Sequence, residues 1–208
     1  TIIVLRREED FFIKTKTIDL GVEILGMCWR PGTNELCADC SDWQTRLCLL
    51  EHSQEKQMEV TASREKEGLP TVFTRIKTTA PSVPAVPDKV FQRSSWSGDG
   101  LFLAAAGSRQ NEEDGAALFQ AKKDEAMGIL ETDSNGHVLF GKQTFFSAGS
   151  NNRVNVAQFC PKMHYWHGPA YLLALGCQSG DVFLWNARLE QPVAKLHLKE
   201  AVCDIAWA

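Results

Sequence analysis

Residues 171–185 read YLLALGCQSGDVFLW, and this stretch decides the fold class of the chain. Residues 172–176 form an apolar run, a polar turn follows at 177–181, and Val182–Trp185 is a second apolar run. Two short apolar runs joined by a Ser-Gly-Asp turn are typical of a β-hairpin, and Gly180 can adopt the positive φ that such a turn needs. The stretch therefore predicts two antiparallel strands, with Trp185 in the core.

Weaker copies of this unit occur elsewhere in the chain. The first strand of each copy ends on an aromatic residue, at Trp29, Trp96, Phe159 and Trp207. The separations are 67, 63 and 48 residues (96−29, 159−96 and 207−159), which exceed the ~40–45 residues of a bare four-stranded repeat. Insertions between the strands account for the excess. The chain is thus predicted to be all-β, built from repeated four-stranded sheets that must stack to bury their apolar faces.

The repeats divide the chain into three parts. Residues 1–50 hold a partial repeat and the first full one, and residues 89–208 hold two further repeats and the start of another. Between them, residues 51–88 are charged and carry prolines at 81, 84 and 87, a spacing typical of an extended linker or insertion. A proline-rich docking ligand is the alternative, and the run 71–76 is a candidate strand within this part.

The order of strands and turns resembles that of WD40 β-propellers. The best copies are SWSGDGLFLAAAG at 95–107 and LLALGCQSGDVFLW at 172–185. Two departures are visible, because the family's usual Gly-His pair is absent and only Trp185 keeps its strand-terminal tryptophan. The resemblance implies a WD40-type β-propeller of four-stranded blades, and three full units with two partial ones would leave that propeller incomplete in this chain.

A narrower resemblance suggests a function. The series FQRSSWSGDGLFLAAAG, ALFQAKK, VNVAQFCPKMHYW and LALGCQSGDVFLWNARLEQPVAKLHLKEAVCDIAW is similar to blades of the HIRA-type and chromatin assembly factor WD-repeat subunits. It implies a non-catalytic scaffold in a histone H3–H4 chaperone complex, located in the nucleus. Residues 24–51 also resemble a blade of replisome adaptors, and residues 192–208 resemble dynein intermediate chains, which would imply a cytoplasmic or cytoskeletal protein.

Composition limits the other classes of function. A net charge of −4 does not suggest electrostatic coating of nucleic acid, so no direct sequence-specific binding of nucleic acid is expected. There is no run of ~18 apolar residues that would predict a membrane span. The seven cysteines are odd in number and lie in apolar runs, which favours buried free thiols.

A loop predicted at 162–169 contains the first group of candidate site residues. His164, Tyr165, Trp166 and His167 follow one another there. Exposed aromatic residues on a loop favour contact with a partner protein, the alternatives being local packing and a metal pair formed by the two histidines.

A long polar turn predicted at 107–115 contains the second group, the acidic run Glu112, Glu113 and Asp114. A solvated loop is one interpretation, and a patch that meets a basic partner such as a histone is the other. Asp181 and Asp204 are interpreted as structural acids of a turn and a strand end.

No motif predicts catalysis or a cofactor. The chain lacks the nucleophile elbow, the zinc-protease helix motif and the glycine-rich phosphate loops, so we expect no enzyme activity and no cofactor. Cys37 and Cys40 form a C-x-x-C pair, but a zinc site would need a second pair and a redox site a following helix. Both cysteines are therefore predicted to be core residues, with a metal or redox protein as the alternative.

Overall fold

The computed structural model describes residues 1–42, 44–50, 92–124, 126–133, 137–165, 170–188 and 192–208, together with the backbone of Thr71–Thr74. Within these residues the chain is all-β and contains no helix, as predicted. The fourteen strands are β1 Ile2–Glu8, β2 Phe11–Ile18, β3 Ile24–Trp29, β4 Glu35–Cys40, β5 Gln44–Leu49, β6 Thr71–Thr74, β7 Ser95–Trp96, β8 Phe102–Gln110, β9 Glu113–Ala121, β10 Phe140–Gly149, β11 Val154–His164, β12 Ala170–Cys177, β13 Asp181–Asn186 and β14 Pro192–His197.

The strands form four open antiparallel sheets, each built from consecutive strands. Sheet I is the hairpin β1–β2, sheet II has the order β3-β4-β5-β6, sheet III the order β10-β9-β8-β7, and sheet IV the order β11-β12-β13-β14. Every neighbouring pair is antiparallel. Each of the three larger sheets is thus a four-stranded meander.

The hairpin predicted at 171–185 is confirmed as β12 and β13, with Leu173 opposite Trp185. Gly180 adopts a φ of +89°, and a Cβ atom there would lie 2.2 Å from the carbonyl oxygen of Leu198. Trp185 is buried, as predicted, and its ring stacks on Phe146 at 4.7 Å between centroids. Its Nε1 has no hydrogen-bond partner among the described residues, so this tryptophan acts by packing.

Sheet II includes one strand from the predicted linker or insertion. Strand β6 at Thr71–Thr74 pairs with β5, with Thr45 opposite Phe73, and supplies the fourth strand of the sheet. The candidate strand at 71–76 is therefore found in part. The prolines at 81, 84 and 87 lie outside the described residues.

The strand edges of the later repeats differ from the prediction. Strand β10, at one edge of sheet III, runs from Phe140 to Gly149. The predicted first strand of a fourth repeat, Val202–Trp207, is not a strand, although Val202 is buried and donates its N–H to the carbonyl of Cys177 at 3.0 Å. This segment runs beside sheet IV but does not pair with a strand.

Three apolar clusters join the four sheets into a stack in the order I–II–III–IV. The first places Ile2 and its neighbours in sheet I against Leu36 and Ala38 of sheet II. The second joins sheet II to sheet III, and the third joins sheet III to sheet IV around Phe146 and Trp185. Since each strand alternates its side chains between two faces, sheets II and III bury both faces while the two outer sheets bury one.

The segment Gln92–Ser95, which we term the seam, contacts three sheets. Gln92 donates its N–H to the carbonyl of Leu25 in β3 at 3.4 Å, and Arg93 forms a parallel bridge to β11 through Asn155 and Ala157 at 2.9 and 2.8 Å. The backbone of these residues is thus bonded between sheets. Strand β7 begins at Ser95, the last residue of the seam.

Hydrogen bonds that involve side chains hold the seam at its next two positions, Ser94 and Ser95. The Ser94 N–H donates to the buried carboxylate of Asp39 in β4 at 3.0 Å, and Thr45 donates to the other oxygen of that carboxylate at 2.8 Å. On the opposite side, the Ser95 hydroxyl accepts the N–H of Phe159 in β11 at 2.9 Å. Sheets II, III and IV are therefore held together by hydrogen bonds as well as by apolar packing.

We expect the substitution Asp39→Ala to lower the free energy of unfolding by about 2–4 kcal/mol, because it leaves the Ser94 N–H and the Thr45 hydroxyl buried without their acceptor. Urea denaturation followed by tryptophan fluorescence measures this change. The control is Glu23→Ala, an exposed position just before β3, which should change the free energy by no more than about 0.5 kcal/mol. Equal effects of the two variants would contradict the role given to Asp39.

Candidate interaction surfaces

His164, the first residue of the first candidate group, lies at the end of a strand and not on the predicted loop. Strand β11 continues through Lys162 to His164, with Met163 opposite Tyr171 and His164 opposite Ala170. A register shift between Phe159 and Met163 interrupts the ladder at this point. Pro161, which has no N–H to donate, lies within that shift, and a bulge is where a strand can accommodate a proline. The loop predicted to start at Lys162 is wrong for its first three residues.

The bulge brings two side chains together that the sequence analysis did not connect. His164 Nε2 lies 3.2 Å from the Sγ of Cys160, a buried cysteine four residues earlier. In a regular strand these residues would lie ~13 Å apart, so no spacing rule for strands predicts the contact. Tyr165, immediately after the strand, is 76% exposed. Trp166 and His167 lie outside the described residues, so Tyr165 is the accessible member of the group on the described part of the chain.

The predicted long turn at 107–115 is a tight hairpin. Strands β8 and β9 run to Gln110 and from Glu113, with Gln110 opposite Glu113, and only Asn111 and Glu112 lie between them. Both have positive φ, 50° and 64°, which is the conformation of a two-residue hairpin turn. The expected nine-residue turn is therefore wrong, because polar residues 108–110 pair within the ladder.

The acidic run does not form a single patch. Glu112 and Glu113 are exposed at the tip of the hairpin. Asp114 is half-buried, with its Oδ1 3.9 Å from Arg109 Nε, and burial raises the pKa of this carboxyl against the opposing effect of Arg109. Adjacent residues of a strand face opposite ways, so Glu113 and Asp114 are separated by the alternation of β9. Two of the three predicted acids remain accessible to a partner.

The cysteine pair Cys37 and Cys40 cannot share a metal ion. The two residues are three apart on β4 and face opposite sides of sheet II, since Cys37 packs in the cluster with sheet III and Cys40 in the cluster with sheet I. Both are buried and all seven cysteines are free thiols. No group of three or more histidine, cysteine or acidic residues suited to a metal occurs in the described part of the chain.

Asp181 lies in a network of side chains at the turn between β12 and β13. Its carboxylate accepts hydrogen bonds from Asn152 at 3.1 Å and His197 at 2.9 Å, and Lys195 Nζ lies 3.1 Å away. The bond from His197, together with the bonds from Lys195 and Ser179, holds the pKa of this carboxyl below its usual value. These contacts join the start of β13 to β14 and to the loop before β11, which agrees with a structural role. Asp204 pairs with Arg93 at 2.7 Å on the surface.

A further surface, absent from the sequence prediction, lies on the outer face of sheet IV. A groove of about 290 Å³ runs along this face, lined by the apolar residues Ala174, Val182, Leu184, Ala194, Leu196, Ile205, Ala206 and Trp207. Trp207 is fixed there by the hydrogen bond from its Nε1 to the carbonyl of Gln158 at 3.2 Å. Leu196 is 63% exposed. The sequence shows which side chains of β13 and β14 share a face. It does not show which of the two faces a neighbouring sheet covers.

Comparison with known proteins does not assign the chain to a family, because no family model and no curated protein sequence matches it. The residues described by the structure also contain no helix long and apolar enough to cross a bilayer.

The buried thiols should resist alkylation in the folded chain. Burial raises the pKa of Cys177 to about 12 and that of Cys48 to about 11, whereas Cys203 is exposed. Iodoacetamide at pH 8 should therefore label Cys203 at least about a hundredfold faster than Cys48 or Cys177, because only the thiolate reacts. Mass spectrometry of the labelled peptides gives the rates. In urea the three rates should converge, and labelling of Cys177 before unfolding would contradict the core position.

The stabilising contribution of Asp181 should depend on pH. Its pKa is lower in the folded chain than in the unfolded one, so the contribution is present above the unfolded value and is lost as the pH falls through the folded value. We expect Asp181→Asn to cost about 1 kcal/mol at pH 7, since its partners Lys195 and His197 are exposed, and much less near pH 3. Denaturation of both proteins across this range measures the difference. Asp10→Asn, at an exposed turn, is the control, and a cost that does not change with pH would refute the assignment.

Proposed function

We propose that the chain is a non-catalytic protein-interaction scaffold of the WD40 β-propeller class. The observation that supports it is the arrangement of the first strands of the three large sheets. The seam before β7 lies between β3 and β11, bonded to Leu25 on one side and parallel to Val156 on the other. Four-stranded meanders whose first strands adjoin in this way are the expected geometry around the channel of a propeller. An electron cryomicroscopy map in which these strands do not line a channel would refute the class.

The scaffold interpretation also agrees with the surfaces that the fold exposes. The accessible tyrosine at Tyr165 and the acidic hairpin tip at Glu112 and Glu113 lie at strand ends, where propeller proteins present their variable side chains. Aromatic residues are enriched among those that anchor protein partners.

The partner that we propose is the histone H3–H4 pair, with the chain acting as a subunit of a nuclear chaperone or chromatin assembly complex. This proposal rests on the resemblance of residues 91–207 to the WD-repeat chaperone subunits and on the charge of the hairpin tip. Histones are strongly basic, so exposed carboxylates favour the encounter and fix its orientation. Glu112 and Glu113 are the residues that would contribute most, since Asp114 is already close to Arg109.

The test is a binding measurement with purified H3–H4, comparing the natural chain with the double variant Glu112→Lys and Glu113→Lys. We expect the dissociation constant to rise roughly fivefold to thirtyfold at low salt, because two favourable charge contacts become repulsive, and the effect to shrink at higher ionic strength. The matched control is Glu9→Lys with Asp10→Lys, an exposed acidic pair at the turn of sheet I, which should leave binding unchanged.

The outcomes separate the partner from the scaffold class. No binding of H3–H4 by the natural chain would refute the histone proposal. Co-purification of the chain with replication-fork proteins or dynein heavy chain would then place it with the replisome adaptors or the dynein intermediate chains. Equal loss of binding in the test and control variants would show that only the net charge matters.

A further inference from the structure

The thiol of Cys160 contacts a base, the imidazole of His164. Its Sγ lies 3.2 Å from Nε2 of the ring, and the tautomer with its hydrogen on Nδ1 presents the lone pair of Nε2 to the thiol. Cys203, by contrast, donates its S–H to the backbone carbonyl of Ala201 at 3.8 Å. A carbonyl oxygen accepts a hydrogen bond without taking up the proton, whereas a neutral imidazole can become protonated near neutral pH. The contact at Cys160 therefore permits proton transfer from the thiol.

The bulge in β11 holds this pair in place. The register of β11 against β12 shifts between Phe159 and Met163, and Cys160 and Pro161 lie within the shift. A Cβ atom added at Gly98 would lie 2.5 Å from the carbonyl oxygen of Pro161, so the turn after β7 packs directly against the bulge. The position of the thiol is thus set by the packing of β11, β12 and that turn.

The exposure of the pair favours a small reactant. Cys160 is 5% exposed and His164 is half-buried, and the next residue, Tyr165, is 76% exposed. The imidazole thus lies between the sulfur and the surface at the end of the strand. A bulky disulfide cannot reach a thiol with so little exposure, whereas hydrogen peroxide is little larger than water.

We propose that Cys160 is a site of reversible oxidation by hydroperoxides, with His164 as the proton acceptor. Nε2 of His164 takes the thiol proton, and the sulfur attacks one oxygen of the peroxide. The S–O bond forms as the O–O bond breaks, so the sulfur is oxidised to a sulfenic acid and the peroxide is reduced. The proton on His164 passes to the departing hydroxide, which leaves as water.

Other ionisable groups lie on the elements that pack around the pair. Lys162 and Tyr165 are exposed at the end of β11, Asp99 is exposed in the turn after β7, and Tyr171 is buried on β12. Burial, followed by the charge of Asp99, raises the pKa of the Tyr171 phenol, so this group stays neutral at neutral pH. Lysine, tyrosine and aspartate side chains do not ordinarily change charge between about pH 6 and 8, whereas histidine does. His164 is therefore the group that can accept the proton in this range.

The first measurement compares cysteines within the natural chain. The folded protein is treated with hydrogen peroxide at about pH 7 together with dimedone, which traps sulfenic acids, and mass spectrometry follows each cysteine peptide. A thiol without a base is only a few per cent thiolate at about this pH. A positioned base contributes about 10²–10⁴-fold, and burial offsets part of this, so Cys160 should be trapped at least about tenfold faster than the exposed Cys203. Without dimedone, dithiothreitol should restore the free thiol.

The second measurement tests the base with the variant His164→Gln. Glutamine can still form a hydrogen bond with the thiol but cannot take its proton, so trapping of Cys160 should slow at least about tenfold. The pH profile should change as well. Between about pH 7 and 8 the rate of the natural chain should change little, while that of the variant should rise nearly tenfold, as for an ordinary thiol. The control is His197→Gln, an exposed histidine that pairs with Asp181, which should leave the rate at Cys160 unchanged.

Three results would overturn the proposal. One is trapping of Cys160 no faster than that of Cys203, and another is an unchanged rate and pH profile in the His164→Gln variant. The third is trapping of Cys160 only in urea, which would show a buried structural thiol. A thermal melt checks that the variant folds, and if it does not, the comparison of Cys160 with Cys203 in the natural chain decides.

Discussion

The hydrogen bonds of the seam are the constraint on which the arrangement of the sheets depends. Residues Gln92–Ser95 give their backbone and hydroxyl groups to sheets on both sides, toward β3 and β4 at Gln92 and Ser94 and toward β11 at Arg93 and Ser95. The buried carboxylate of Asp39 is the least replaceable partner, because two donors converge on it at a site that is almost inaccessible to solvent. A buried polar group is tolerated only when its partners are in place, so the seam sets the position of one sheet against the next.

A second buried polar contact acts farther along the boundary between sheets II and III. Arg30 donates to the carbonyl of Gly100 at 3.0 Å and pairs with Glu35 at 3.1 Å, and His137 Nδ1 lies 3.4 Å from the same carboxylate. Arg30 also lies over the ring of Trp96, 5.1 Å from its centroid. These groups are nearly inaccessible to solvent, so loss of one partner would leave another charge buried and uncompensated. Together with the seam, they give the boundary a specific geometry that apolar packing alone does not impose.

The fold leaves its accessible chemistry at strand ends and on the outer face of sheet IV. The strand ends present Tyr165 and the carboxylates of Glu112 and Glu113, whereas the outer face of sheet IV presents the groove. Charged side chains at strand ends can attract and orient a charged partner. An apolar sheet face instead contributes to binding through the apolar area that the contact buries. The two kinds of surface respond differently to salt, so the contact that a given partner uses can be identified in solution.

The hairpin of β12 and β13 shows which features of the fold could be predicted from neighbouring residues in the sequence. Its strands, its turn at Gly180 and the burial of Trp185 were all predicted, because alternation of apolar residues and the need for positive φ are encoded within about fifteen neighbouring residues. The extent of β11 and the tight turn at Asn111 and Glu112 were not predicted, since polar residues were assigned to loops although they pair in ladders. A ladder depends on a partner strand, and polar side chains are compatible with a strand that reaches the surface.

The sequence by itself therefore determined the all-β class, the series of repeated meanders and the core positions of Cys37 and Cys40, because these follow from residue types and their spacing. Only the tertiary structure decided that Asp39 receives the Ser94 N–H, that Cys160 meets His164 across a bulge, and that one face of sheet IV stays uncovered. Each of these depends on which strands are neighbours in space. Contacts between residues such as Asp39 and Ser94, 55 positions apart, arise from the stacking of whole sheets, and local periodicity carries no information about them.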